Sequence, residues 1–170
     1  MAPVSSPVMV RDLIGTLARL GLAAVWLVSG GLKVADPEQL YVAVQAYDVL
    51  PAGGAGLIAA ALPFVEIALG LLLLAGLGTR LVAAISLIML AAFTAGVAQA
   101  WARGLAIDCG CFGGGGTVNP AQTRYPQEIA RDLGFALLAG WLVIRPRTLL
   151  ALDGRLGSAR APALGTERGT

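Results

Sequence analysis

Histidine is missing from the entire 170-residue sequence. Its absence removes the usual haem axial ligand, the commonest zinc ligand and the commonest general base together. Charge is also scarce: Asp, Glu, Lys and Arg supply 13% of residues, against roughly 25% in soluble domains. Hydrophobic residues supply 57%, and the mean hydropathy is +0.79. That balance belongs to a membrane protein. Apolar runs of roughly 20 residues leave room for about four spans and no separate soluble domain. The formal charge of +2 does not imply nucleic acid, because basic residues in such a chain mostly record topology. Any chemistry must run on cysteine, carboxylate, arginine or a bound cofactor.

The two cysteines, Cys109 and Cys111, stand either side of Gly110 in a glycine-rich stretch that continues through Phe112 to Gly116. A thiol pair so close in sequence can close on itself, exchange with a partner's disulfide or grip one soft metal ion. The small ring closed by a Cys-x-Cys disulfide forces backbone angles that glycine tolerates best. Strain of that kind makes the bond easier to reduce, which suits a transient disulfide. A plain stapled turn is the alternative.

Residues 1–12 read as a short tail, since Met1 to Met9 lack a charged n-region and are followed by a long apolar segment. A first span is expected over 13–32, with Arg19 inside it. At a helix centre an arginine costs about 2.5–3.5 kcal/mol, so Arg19 either snorkels or faces a partner. Asp36 and Pro37 then open a short interfacial helix carrying Leu40, Val44 and Tyr47 on one face. The second span, 55–77, holds Glu66 near its middle. Arg19 is the expected partner of Glu66, because an antiparallel hairpin brings the two within about two helical turns in depth. Two readings of that pair stay open: a packing ion pair that fixes register, or a proton or quinone-headgroup site.

A third span is expected over 81–101, with Gly96 here and Gly70 and Gly76 before it as small positions where helices approach closely. Residues 103–126 form the cysteine loop, and a fourth span follows over 127–144. Glu128, Arg131 and Asp132 share one face of its first turns, at the end nearest the loop. Cations lower a thiol pKa, so Arg103, Arg124 and Arg131 are candidate thiolate stabilisers, whereas Asp108 opposes ionisation of Cys109. Glu128 and Asp132 are candidate proton relays. Residues 146–170 read as a disordered tail.

The expected fold is therefore all-α: a polytopic four-helix membrane bundle with a short interfacial helix between spans 1 and 2. Arg11, Arg80 and the tail arginines fall on one side, which puts both termini in the cytoplasm. The cysteine loop then faces outward, where disulfides form and persist.

Gly31-Leu32-Lys33 with Asp36-Pro37, the stretch from Tyr47 to Pro51, Leu62-Pro63 with Glu66 and Gly70, and Cys109-Gly110-Cys111-Phe112-Gly113 together resemble the MauE branch of the DoxX-like family. The resemblance spans about 13–144. It implies a small four-helix membrane protein of a bacterial plasma membrane. It also implies a redox-associated accessory factor that helps mature disulfide-rich extracytoplasmic enzymes with a thioredoxin-fold partner.

Moving electrons by thiol exchange needs a second acceptor, and the chain has a single cysteine pair. The leading expectation is a thiol–disulfide oxidoreductase in which Cys109 and Cys111 exchange with an extracytoplasmic thioredoxin-like protein. A quinone near Arg19 and Glu66 would complete the half-reaction. The rivals are a non-enzymatic assembly or scaffold factor with a structural disulfide, and a soft-metal carrier.

Overall fold

The computed structural model describes residues 6–149 and 151–152. It is mostly helical: α1 (Ser6–Ala35), α2 (Pro37–Ala46), α3 (Ala52–Ala75), α4 (Thr79–Ala102) and α5 (Tyr125–Ile144). Between α4 and α5 lie two short strands, β1 (Ile107–Asp108) and β2 (Gly116–Thr117), and a single 3-10 turn over Pro120–Gln122. The strands pair antiparallel, with Ile107 opposite Thr117. This hairpin was not part of the expected all-helical chain. It forms because Gly113 to Gly116 all take positive φ, between 71° and 103°, and so reverse the chain within a few residues.

Three helices are long and apolar enough to cross a bilayer among the described residues: Met9–Ala35, Ala52–Ala75 and Thr79–Ala102. The expected fourth span corresponds to α5. Its 20 residues reach about 30 Å, but Glu128, Arg131 and Asp132 charge its first two turns. Large apolar side chains such as Leu57, Phe64, Leu81 and Ile88 point outward and are mostly exposed, which fits a lipid environment.

Helix α1 packs against α3 and α5, and α4 packs against α5 and α3; α2 lies across α3 and the hairpin. The interior is filled by Leu22, Trp26, Leu73, Ala83, Ala139 and Leu142. Trp26 donates its indole N–H to Ser86 Oγ at 2.9 Å, so its one polar atom is satisfied inside that core. Close approach of α1 to α3 depends on missing side chains. A Cβ at Gly30 would lie 2.8 Å from Ile67 Cγ1, and one at Gly70 would lie 2.7 Å from Leu27 Cγ.

Two expectations need correction. Arg19 and Glu66 do not pair with each other. The Arg19 guanidinium donates to the carbonyls of Leu73 (2.9 Å), Leu74 (3.1 Å) and Leu149 (3.2 Å), two turns along α3 from Glu66. Glu66 pairs with Lys33 instead, because α1 does not stop at Leu32 but continues through Lys33 to Ala35. The chain after α5 also does not leave the body at residue 146. The Leu149 N–H donates to Thr16 Oγ1 at 2.8 Å, which returns this segment to the start of α1. The expected tail beyond residue 152, and the first five residues, lie outside the described residues.

Candidate functional site

The cysteine loop is seated on the helix ends by hydrogen bonds from three directions. Gln39 of α2 donates to the Gly115 carbonyl at 2.5 Å, and the Tyr47 hydroxyl donates to the Cys109 carbonyl at 3.2 Å. Ser29 of α1 offers its proton to the Cys111 carbonyl at 2.7 Å. Tyr125, which opens α5, receives the Ile107 N–H at 3.0 Å and donates to the Leu105 carbonyl at 2.5 Å. Gly110 has φ +66°, and a Cβ there would lie 2.9 Å from Ala43 Cβ. The residue between the cysteines is thus held against α2 in a conformation that favours glycine.

Both cysteines are free thiols, with Cys109 buried and Cys111 half-buried. The Cys111 N–H donates to Cys109 Sγ at 3.3 Å, and Arg131 Nη2 lies 3.8 Å from the same sulfur. Arg131 is aimed there by its neighbours. Its Nε donates to Asp132 Oδ1 at 3.0 Å, and its guanidinium carbon lies 4.9 Å from the centre of the Phe112 ring. These contacts separate the two thiols chemically. The Cys111 thiol, by hydrogen bonding, draws Cys109 below the ordinary thiol range; the Cys111 N–H and Arg131 assist, against burial and the Glu128 carboxylate. Cys111 moves up, driven first by that same hydrogen bond, then by burial and by the negative charges of Cys109 and Asp132. Burial also pushes the Tyr47 phenol up, so its hydroxyl keeps its proton.

Beneath the loop is an enclosed polar cluster. Lys33 Nζ lies 2.5 Å from Glu66 Oε1 and 2.7 Å from Ser29 Oγ. Ser29 Oγ in turn lies 3.1 Å from Glu66 Oε2. Glu66 is 0% exposed and Lys33 is 4% exposed, so the charges stay in place through these contacts rather than through water. Asp132 is equally enclosed, and its Oδ2 has no hydrogen-bond partner among the described residues.

Two cavities lie by the cysteine loop. An open polar cleft of about 650 Å³ is lined by Asp108, Gln122, Arg124, Gln127, Glu128 and Arg131. Carboxylate oxygens of Asp108 and Glu128 and the Cys109 sulfur lie within 4.8 Å of one another, so Cys109 sits at the edge of this cleft. That group could offer a metal one thiolate and two carboxylates; it does not include Cys111, as a Cys-x-Cys soft-metal site would. A second, apolar cleft of about 290 Å³ lies between α2, α3 and α4. Lys33, Tyr47, Leu62, Phe93, Cys109 and Cys111 are among its walls.

The predicted site residues therefore divide. Asp108, Glu128, Arg131 and Asp132 do gather around Cys109 and Cys111. Arg124 lines the polar cleft without reaching a sulfur. Arg103 belongs elsewhere, because it clamps the end of α2 through Asp48 Oδ2 (2.9 Å) and the Tyr47 carbonyl (3.1 Å). Arg19 and Glu66 are not one site. Sequence reasoning missed Ser29, Lys33 and Tyr47. The one available signal was that Lys33, the sole lysine, falls four residues after Ser29 and so shares its helix face.

A model of the methylamine utilisation protein MauE family matches residues 11–145. The chain belongs to the MauE family. The match runs from the first turns of α1 to the end of α5, so the cysteine loop and both clefts lie within the MauE-matched region. Neither a curated protein nor a solved structure matches the chain. With the apolar helices, MauE membership makes this a membrane protein.

Proposed function

We propose that this MauE-family protein is a membrane thiol–disulfide redox protein that oxidises an extracytoplasmic thioredoxin-like partner through Cys109 and Cys111. The observation that carries the reading is the asymmetric setting of the two sulfurs. Cys109 has Arg131 and the Cys111 N–H beside its sulfur and lies close to two carboxylates of the polar cleft's wall, whereas Cys111, the less buried of the two, is the proton-bearing thiol. Stabilising one thiolate stabilises the reduced form, which makes the corresponding disulfide the stronger oxidant.

The exchange then runs in two balanced steps. A partner thiolate attacks the Cys109 sulfur of the Cys109–Cys111 disulfide, the bridge breaks, and Cys111 takes up a proton as it leaves. The partner's second thiolate attacks the mixed disulfide, closes the partner's own bridge and expels Cys109 as the thiolate that Arg131 faces. The low pKa of Cys109 favours that departure. Asp132 Oδ2, enclosed and unpartnered, is available to hold the proton exchanged at Cys111.

In the membrane, α5 serves as the fourth span of a four-helix bundle, with its charged first turns at the surface beside the loop. Both termini face the cytoplasm and the Cys109/Cys111 loop faces outward. Arg11, Arg80, Arg145 and Arg147 gather at the opposite end of the helices, which supports that orientation in a bacterial plasma membrane. Exchange is tested by mixing the oxidised protein, in lipid nanodiscs, with reduced thioredoxin and reading both thiol states by alkylation and mass. Appearance of thioredoxin disulfide together with free Cys109 and Cys111 supports the reading. A bridge that persists under an excess of reduced thioredoxin contradicts it.

A further inference from the structure

The exchange reading leaves a question of balance. Each cycle delivers two electrons to a chain that holds one dithiol, and that dithiol must be reoxidised. The apolar cleft lies where this would happen. Both cysteines form part of its wall, so an occupant stands beside them. Val49 and Leu50, in the linker between α2 and α3, and Ile58 of α3 are exposed apolar side chains of its wall, so an apolar occupant can enter past them. Its volume of about 290 Å³ falls near the lower end of small-molecule sites and suits one substituted ring.

Two polar groups interrupt the apolar wall. The Lys33 ammonium donates to Ser29 and Glu66 and lies 5.6 Å from the centre of the Phe93 ring, which shares the cleft wall. The Tyr47 hydroxyl lies beside the Cys109 carbonyl. A ligand for this cleft is therefore apolar, carries an oxygen acceptor for an ammonium, and takes two electrons from neighbouring sulfurs.

We infer that the cleft between α2, α3 and α4 binds the ring of a membrane quinone, which accepts the electrons of Cys109 and Cys111. This rests on the exchange reading, and it moves the expected quinone site away from Arg19 and Glu66. The step balances: the Cys109–Cys111 S–S bond forms as the Cys109 thiolate and the Cys111 thiol give up two electrons and the one Cys111 proton, and the quinone gains two electrons and two protons as two O–H bonds, its second proton coming from water. Lys33 positions the ring, and Glu66, paired to it, holds the ammonium in the apolar wall.

The test uses the reduced full-length protein in nanodiscs, decylubiquinone as oxidant, and an azido-ubiquinone photoprobe competed by decylubiquinone. Photolabel is expected on peptides containing Tyr47 or Phe93, and decylubiquinone is expected to convert both thiols to a disulfide. Ala92→Phe, on the lipid-facing wall, and Gly96→Leu, deeper in the cleft, each fill the space. Each should weaken labelling and slow thiol oxidation by about tenfold, the scale of a modest overpacking penalty. Exchange with thioredoxin should be unchanged in at least one of the two variants, which separates blocking from misfolding. Labelling elsewhere, or thiol oxidation unaffected by either substitution, overturns the quinone inference and leaves exchange standing. Loss of thioredoxin exchange in the unsubstituted protein overturns the exchange reading itself.

Discussion

Lys33 Nζ lies 2.5 Å from Glu66 Oε1, joining the last turn of α1 to the middle of α3 in a setting closed to solvent. Ser29, one turn earlier on α1, links this ion pair to the Cys111 carbonyl. The charged pair therefore lies directly under the cysteine loop, and its removal has a definite sign. Lys33→Met leaves a carboxylate buried alone and should cost about 3–5 kcal/mol. Lys33→Met combined with Glu66→Leu should recover most of that loss, because neither charge is then left unpaired. Thermal unfolding in detergent micelles compares the two. Equal destabilisation of the single and double variants would show that the pair is not what the single substitution breaks.

The rate at which Cys109 reacts should report its environment directly. In a Cys111→Ser variant the serine hydroxyl still donates toward Cys109, and Arg131 is still in place. A lowered pKa means that Cys109 ionises where an ordinary thiol still keeps its proton. Alkylation by iodoacetamide should thus stay near its plateau as pH falls through the ordinary thiol range, and drop only on passing the lowered value. Arg131→Met should move the midpoint up and slow alkylation at neutral pH by about three- to tenfold, the worth of a half-exposed charge contact. An unchanged midpoint in Arg131→Met would remove Arg131 from the thiolate's environment.

Arg103 supplies the contrast. Its pair with Asp48 is largely exposed, with the two side chains at 42% and 81%. Arg103→Ala should leave the alkylation profile of Cys109 unchanged and cost no more than about 1 kcal/mol in thermal unfolding. A shifted Cys109 midpoint in this variant would restore Arg103 to the site.

The long helices were legible because each apolar run is long enough to state its own structure, and the loop because its glycines and prolines interrupt that pattern. The partners were not. Arg19 and Lys33 both lie in α1, but the expected span ended at Leu32 and left Lys33 outside it, so depth pointed to Arg19. What decided the pairing was that α1 runs three residues beyond Leu32, carrying Lys33 inside on the same face as Ser29. The proximity of Arg131 to Cys109 was readable from helical spacing, whereas the part played by Phe112 in aiming it needs the folded loop. Tyr47 gave no local signal, since its hydroxyl meets Cys109 only after α2 folds over the hairpin.

Gly115 tests whether that seating matters. Its φ is +103°, and a Cβ there would lie 2.5 Å from Ala43 Cβ. Gly115→Ala should cost about 1–3 kcal/mol in strain and overpacking, released by lifting the loop from α2. Limited proteolysis should then cut within 103–126 while helical circular dichroism is retained. Adding Ala43→Gly should restore part of the resistance by removing the contact with Ala43, although the 2.9 Å approach to Gly110 Cα and the backbone strain stay. An uncut loop in Gly115→Ala would show that the loop tolerates the change where it sits.

The most direct test of the central claim is to trap the mixed disulfide. Cys111→Ser and Cys109→Ser variants are expressed in membranes, free thiols are blocked with acid and alkylating agent, and anything joined to the remaining cysteine is identified by mass spectrometry. The account predicts an extracytoplasmic thioredoxin-fold protein joined through Cys109 in the Cys111→Ser variant and not through Cys111 in the Cys109→Ser variant. Capture by neither variant, with a wild-type bridge that survives mild reductant, would contradict it and leave a structural staple in its place.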